Sequence, residues 1–363
     1  MRITFILPYI GISGGVRSTF ELANRLQNRQ HRVSVVYPLI PMPHGAKWYD
    51  LRSLVRRAGT AIANYRHGRQ VEWFDVKANM IGVPTLAERY IPKGDIVAAT
   101  WWETAYFVAK YSDDKGEKFY FVRHYETWGG PEDAVNKTYT LPLHKVVTST
   151  WLKTLIEEKF HVLTFGPIPN GINFDLFYKT RNGFKCHNPK RVGMVYSRRS
   201  WKGMEDGLEA FYIAKKNHPD IQLVLFGEPK GEEVGEDIEF HEFPSKDKLR
   251  ELYNSLDILI FPSHYEGFGN PPMEAMACGA ACLATNVGAV PDHITDGKTG
   301  LICPPFAPGK IVECLTYLLG NEEKRREIAK AGHKHIQRFG WDESVNQLEE
   351  VFTQVVKSKE RTV

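Results

Sequence analysis

The first stretch of the chain, up to residue 37, constrains the fold more than any other. Ile3-Thr-Phe-Ile-Leu7 is a short apolar run, glycines 11, 14 and 15 make a turn, and Val16, Phe20, Leu22, Ala23 and Leu26 recur at helical spacing. Arg32-Val-Ser-Val-Val-Tyr37 is a second apolar run of strand length. Two strands joined through a helix pair in parallel, since only a crossover can carry the chain back to the same end of the sheet. An α/β chain built on parallel sheets is therefore expected.

The alternation predicts further strands over 95–100, 118–123 and 145–148, the last leading into a helix capped by Ser149 or Thr150. Residues 40–93 are proline-punctuated and read as irregular. A turn cluster at Ile168-Pro-Asn-Gly-Ile-Asn173 and a polar run at 179–185 mark a domain boundary. After it the pattern restarts: strand 191–196, helix 203–216, strands 221–226 and 238–240, helix 246–254, strand 257–261, and a helix from Pro271 or Pro272 to Gly279. Strands 281–284 and 299–302 follow, then helices 308–319, 322–337 and 341–356, with a frayed tail from Lys357. The length of 363 residues exceeds one ordinary core. Three segments are expected: a domain over 1–183, a second over 184–340, and a final helix and tail over 341–363 that packs back toward the first. In doubly wound sheets ligands bind beyond the carboxyl ends of the strands, so the cleft between two such domains is the expected site.

Composition narrows the class. With 42% hydrophobic and 25% charged residues the chain is that of a globular protein rather than a disordered or fibrous one. The opening apolar run is too short for a signal-peptide core and no later run approaches membrane-spanning length, so a cytoplasmic protein is expected. Five cysteines without paired C-x-x-C spacing read as free, mostly buried thiols. The net charge of +4 conceals an asymmetry: residues 1–183 hold 24 basic against 16 acidic groups, and the remainder 23 against 27. No nucleic-acid partner is expected. The densest basic stretch, 52–69, mixes arginines with Leu54, Val55 and Ile62; it reads either as an ordinary surface helix or as a segment lying on the inner face of an anionic membrane.

Glu266-Gly-Phe-Gly-Asn-Pro-Pro-Met-Glu274 sets two carboxylates around a glycine-rich turn at a helix start. Backbone amides of Phe268, Gly269 and Asn270 there suit an anionic ligand, with Pro271 in the first turn, while acids accept from ligand hydroxyls. The competing reading makes Glu274 a first-turn complement to the helix dipole and Glu266 a solvated loop acid. Arg198, Arg199 and Lys202 follow the strand at 191–196, where they can offset charge on a diphosphate or form a solvated basic turn. His124 ends the strand 118–123, and Gly14 and Gly15 open the first helix. The glycines lack G-x-G-x-x-G spacing and no acid ends the second strand, which excludes a dinucleotide fingerprint. Neither a Walker sequence nor a D-x-D pair nor a metal-spaced His/Cys/carboxylate set is found, so no metal and no cofactor is expected.

Pro262-Ser-His-Tyr-Glu266-Gly-Phe-Gly-Asn-Pro-Pro-Met-Glu274-Ala-Met-Ala-Cys-Gly279, followed by Asn286-Val-Gly-Ala-Val-Pro-Asp292, resembles the E-x7-E signature of the retaining glycosyltransferases of family 4. Gly14-Gly15, His124, Ser149 and Pro169-Asn-Gly-Ile-Asn173 extend the resemblance over nearly the whole chain except 40–93. It implies the GT-B fold, two Rossmann-like domains facing a central cleft, the first for the acceptor and the second for a nucleotide sugar. By the same resemblance Glu274 would hold ribose hydroxyls, Glu266 the transferred sugar, and Phe268, Gly269, Asn270 and Pro271 would line the sugar and phosphate. Lys202 with Arg198, or Arg199 in second place, would hold the diphosphate, Gly14 and Gly15 would lie near it, and His124 would face the reacting sugar. The family's arginine place holds Ser197 here, which is why Arg198 takes the assignment. The implied reaction is metal-independent sugar transfer with retention to a glycan or lipid-linked acceptor in polysaccharide biosynthesis. A nucleotide-sugar epimerase or phosphorylase of the same architecture and a non-catalytic carbohydrate-binding protein are the competing readings.

Overall fold

The computed structural model describes residues 1–40, 71, 73–180, 187–231 and 234–360. The basic stretch 52–69 and most of 40–93 lie outside the described residues. The chain forms two compact units, Met1–Asn170 with Trp341–Val363, and Gly171–Gly340.

Unit 1 contains β1 (Arg2–Ile6), α1 (Gly14–Asn28), β2 (Arg32–Pro38), β3 (Asn79–Val83), β4 (Ile96–Ala99), α2 (Trp102–Val108), β5 (Glu117–Val122), α3 (Glu132–Thr138), β6 (His144–Val147), α4 (Thr150–Phe160) and β7 (Thr164–Phe165). Its sheet runs β3-β2-β1-β4-β5-β6-β7, with parallel pairing throughout. Alternate residues of the same strands feed different cores: Phe5, Val35, Ala98 and Phe119 one, Ile6, Val36, Val97 and Tyr120 the other. A sheet covered on both faces explains why its strands read as continuous apolar runs rather than alternating ones. Ser13 caps α1 by accepting from the Val16 amide at 3.2 Å, which releases the chain into helix just after the turn.

The last helix of the chain, α11 (Trp341–Glu360), belongs to unit 1. Phe352 packs edge-on to Phe119 at 4.8 Å between ring centroids, and Glu349 accepts from His31 at 2.6 Å and pairs with Arg29. The helix runs into the expected tail as far as Glu360, and Lys359 there pairs with Glu117 at 2.7 Å.

Unit 2 contains β8 (Lys190–Tyr196), α5 (Met204–Asn217), β9 (Ile221–Gly227), β10 (Glu239–Glu242), α6 (Lys246–Ser255), β11 (Ile258–Phe261), α7 (Asn270–Cys278), β12 (Ala281–Thr285), α8 (Val290–His293), β13 (Leu301–Cys303), α9 (Pro308–Gly320) and α10 (Glu322–Ile336). The sheet order is β10-β9-β8-β11-β12-β13, again parallel. Both sheets thus place the first strand beside the fourth, and the direction of winding reverses between those two strands.

Several details depart from the sequence reading. The second unit begins at Gly171 rather than 184, because Ile172 and Phe177 bury in its core and the Asn254 amide ties down the backbone of Tyr178 and Thr180. Within the stretch read as irregular, residues 79–83 form strand β3, an addition to the β2 edge with weak apolar patterning. The short helices α2 and α3 were not anticipated; each is only two turns long, too short for a readable period. Among the described residues Cys278, Cys282 and Cys303 are buried free thiols and Cys314 is a half-buried one.

Candidate active site

In unit 2 the winding reverses between β8 and β11, so the loops after those strands flank the point where doubly wound folds bind ligands. Lys202 lies on the first loop and Glu266 on the second. Their side chains meet, with Lys202 Nζ 2.6 Å from Glu266 Oε1. Ser263 Oγ donates to the same carboxylate oxygen at 2.8 Å, and Thr285 in turn donates to the Ser263 carbonyl. Glu266 is therefore held from two sides, not the solvated loop acid of the bland reading.

Backbone geometry fixes Lys202 as tightly. The Trp201 carbonyl accepts from the His264 amide at 2.8 Å, joining the two loops. Gly203 adopts φ +62°, and a Cβ there would stand 2.0 Å from the Pro262 carbonyl oxygen. Only glycine allows this approach. The remaining predicted cations are held elsewhere. Arg198 donates from its backbone amide to the Glu228 carboxylate at 3.0 Å and from Nη2 to the Lys230 carbonyl at 3.0 Å. Arg199 lies 3.8 Å from Glu228 and over the Trp201 ring. Both are exposed. Glu228 was missed by sequence reasoning, although its place directly after β9 puts it at the same carboxyl edge as the other loops.

Helix α7 starts at Asn270, just before the prolines at which the sequence places its start. Gly269 is its cap, in the left-handed region at φ +90°, with Asn270 first and Pro271 following. Pro271 and Pro272 carry no N–H, so the amides this helix start offers are those of Phe268, Gly269 and Asn270. One placement is corrected: Glu274 is the fifth residue of α7, in its second turn, because the helix begins at Asn270 and not at the prolines. A first-turn dipole role therefore fails. Glu274 is only 8% exposed, and its Oε2 accepts from the Tyr253 hydroxyl of α6 at 3.0 Å. Tyr253 carried no sequence signal beyond its apolar helix face.

In unit 1 the winding reverses between β1 and β4. Gly14 and Gly15 open α1 after β1. Arg123, directly after β5, donates from Nη1 to the Gly15 carbonyl and to Thr19 Oγ1, the latter at 2.9 Å, so one guanidinium braces the glycine turn. Burial lowers the Arg123 pKa to about 10. His124 follows it. The imidazole Nδ1 lies 2.9 Å from the Tyr125 carbonyl; a carbonyl only accepts, so Nδ1 is the donor in this contact.

Next to His124 stands a buried acid. Glu126 Oε2 accepts from the Trp102 amide at 2.8 Å and the Tyr120 hydroxyl at 3.0 Å. Burial pushes its pKa up to about 8, against the lowering by those two donors and by Arg123, with Glu103 raising it further. The unfolded chain binds fewer protons here than the folded one between about pH 4.5 and pH 8, so stability falls as pH rises through that window. Glu126→Gln keeps both accepted hydrogen bonds and removes the titration. The variant is expected to gain on the wild type by an amount on the order of a few kcal/mol between pH 5 and pH 8. Thermal melts of both proteins across that range check it; a difference that does not change with pH contradicts it.

Among the described residues no three His, Cys, Asp or Glu side chains gather as a metal-binding set, and no helix is long and apolar enough to cross a membrane.

Comparison with known proteins fits this geometry. Residues 179–335 match the family model described as Glycosyl transferases group 1. The matched residues all lie within unit 2. The chain as a whole has the GT-B fold: it superposes on sucrose-phosphate synthase of Thermosynechococcus elongatus with a TM-score of 0.73 at 16% identity, over 98% of this chain and 99% of that one. An Anabaena protein, HepE, solved in complex with UDP-glucose, gives 0.71 at 16% identity over 98% and 100%. Among curated proteins the chain is 27% identical over 233 residues to the capsular polysaccharide biosynthesis glycosyltransferase CapM of Staphylococcus aureus. That match spans 60% of each chain, less than two thirds of the relative's length.

Proposed function

We propose that the protein is a retaining, metal-independent glycosyltransferase that moves a sugar from a nucleoside diphosphate sugar to an acceptor hydroxyl. The observation that carries the reading is the Lys202–Glu266 pair at 2.6 Å on the two loops that flank the reversal point of the second sheet. A cation belongs at the diphosphate end of such a donor and acids along its hydroxyls, and this pair supplies both within one anchored unit. Lys202 stabilises the charge that builds on the departing phosphate, assisted by Arg198 and then Arg199. The amides of Phe268, Gly269 and Asn270, with Pro271 beside them, border the phosphate and sugar. Glu274 accepts from the ribose hydroxyls, its orientation set by Tyr253, and Glu266 accepts from the sugar once Lys202 turns to phosphate.

In the step itself the bond from the anomeric carbon to the phosphate oxygen breaks as the acceptor oxygen attacks on the same face, and the acceptor proton passes to the departing phosphate. Glu266, engaged by Lys202 and Ser263, need not form a covalent bond. Unit 1 carries the acceptor half of the reaction, with Gly14 and Gly15 braced by Arg123 and His124 presenting its imidazole toward a hydroxyl. Catalysis on this account is positioning plus electrostatic stabilisation. The proteins named for capsule synthesis and for a UDP-glucose complex are in keeping with a glycan or lipid-linked acceptor and a nucleotide sugar donor.

A thermal-shift panel of UDP, GDP, ADP, dTDP and CDP tests the reading. One of them, at about a hundred times its dissociation constant, is expected to add roughly 2.7 kcal/mol of stability. No shift with any of the five contradicts donor binding. Conversion of a nucleotide sugar with no acceptor present favours an epimerase instead.

A further inference from the structure

The loops after β4 and β5 bring tryptophans together around His124. Trp128 is 58% exposed, an unusual place for an indole, and its ring lies 6.1 Å from the His124 ring and 5.2 Å from Trp101. Trp151 approaches His124 from α4 at 6.2 Å. The imidazole therefore meets two indoles edge-on.

The turn that carries Trp128, Glu126–Gly129, is anchored at both ends. At its start the buried Glu126 carboxyl binds the Trp102 amide and the Tyr120 hydroxyl. At its end Gly129 and Gly130 lie directly on indole rings: a Cβ on Gly129 would stand 2.5 Å from Trp101 Cζ2, and one on Gly130 2.4 Å from Trp102 Cζ2. A buried acid and two obligatory glycines thus hold one large aromatic face outward in a fixed orientation. Folding alone gives no reason for this, since an exposed indole loses the stabilisation that its burial would bring. An apolar plate beside hydrogen-bonding groups is what a ligand site uses.

We propose that Trp128 is the stacking platform of the acceptor subsite and that the acceptor is therefore a saccharide. A pyranose ring presents one face of C–H groups, which lies flat on an indole, and a rim of hydroxyls. The His124 ring, near-perpendicular to the Trp128 ring with centroids 6.1 Å apart, brings a hydrogen-bonding group to the side of the plate. Next in sequence, the Tyr125 hydroxyl donates to Asn136 Oδ1 at 2.8 Å and accepts from Lys159 at 2.6 Å. A lipid surface would call for several exposed apolar side chains together, whereas of the rings against Trp128 the Trp101 indole is buried and the other, His124, is polar. The inference rests on the proposed function for the word acceptor, and it specifies what that function left open.

The test uses the full chain saturated with whichever diphosphate stabilises it, applied to an array of di- to hexasaccharides of glucose, galactose, mannose and N-acetylglucosamine, with myo-inositol 1-phosphate and phosphatidylglycerol vesicles as the other arms. At least one oligosaccharide is expected to be retained. Trp128→Ala is expected to weaken that binding tenfold or more and Trp128→Phe to weaken it less, with the diphosphate shift and melting temperature unchanged. Retention of inositol phosphate or vesicles without any saccharide overturns the proposal, as does equal saccharide binding by wild type and Trp128→Ala, or no binding in any arm. The diphosphate shift is read separately, so failure of the platform and failure of the donor reading are distinct results.

Discussion

Lys202→Ala is expected to lower turnover by about a hundredfold or more, with a much smaller change in donor KM. The reason lies in where the charge is needed. A diphosphate in the ground state is already solvated by water and the helix-start amides, whereas the additional charge on the bridging oxygen appears only as the bond to the sugar breaks. A cation fixed by its own loop costs no reorganisation at that moment. Lys202 qualifies, because Gly203 at φ +62° and the bond from the His264 amide to the Trp201 carbonyl leave its backbone one position. Arg198 does not qualify to the same degree, since its guanidinium is exposed and held by the Lys230 carbonyl. Arg198→Ala is accordingly the milder companion. Steady-state kinetics with the true donor decide the matter, and turnover within threefold of wild type would remove Lys202 from its assigned role.

Glu274→Ala is expected to act on binding instead, weakening the nucleoside diphosphate by about a hundredfold. A carboxylate accepting from two vicinal hydroxyls makes charge-assisted bonds of roughly 1.5–3 kcal/mol each against water. The Tyr253 hydroxyl, 3.0 Å from Oε2, fixes the orientation of the carboxylate before any ligand arrives. The alanine variant also removes an acceptor from that hydroxyl, so Glu274→Gln, which keeps an acceptor for Tyr253, separates lost packing from lost recognition. Calorimetric titration of the diphosphate into the three proteins measures this; equal dissociation constants would show that Glu274 is a structural acid.

The sequence made the parallel α/β fold legible because sheets buried on both faces require continuous apolar strands, and runs such as Ile258-Leu-Ile-Phe261 admit few other readings. It also put Glu266 and Lys202 on the loops that follow β11 and β8 and came within a residue or two of the α7 start, since glycines and prolines punctuate those loops in ways that few backbone shapes allow. What it missed depends on tertiary contact. Ser263 and Glu228 are ordinary polar residues until β11 and β9 bring them to the carboxyl edge of one sheet. Tyr253 shares a helix face with core residues, and nothing in its spacing announces a hydroxyl aimed at Glu274. The domain boundary was set too late because the polar run at 179–185 is the more conspicuous signal. The apolar Ile172 and Phe177 before it nevertheless commit that segment to the second core. Arg198 and Lys202 looked equivalent as a basic loop, and only geometry separates the one against Glu266 from the one against Lys230.

The most direct measurement is a crystal structure of the protein soaked with the nucleotide sugar whose diphosphate stabilises it. The account predicts Lys202 Nζ transferred from Glu266 to a phosphate oxygen, Glu266 accepting from a sugar hydroxyl, and Glu274 within hydrogen-bond distance of the ribose. A bound donor with Lys202 still paired to Glu266 and Glu274 turned to Tyr253 alone would contradict it.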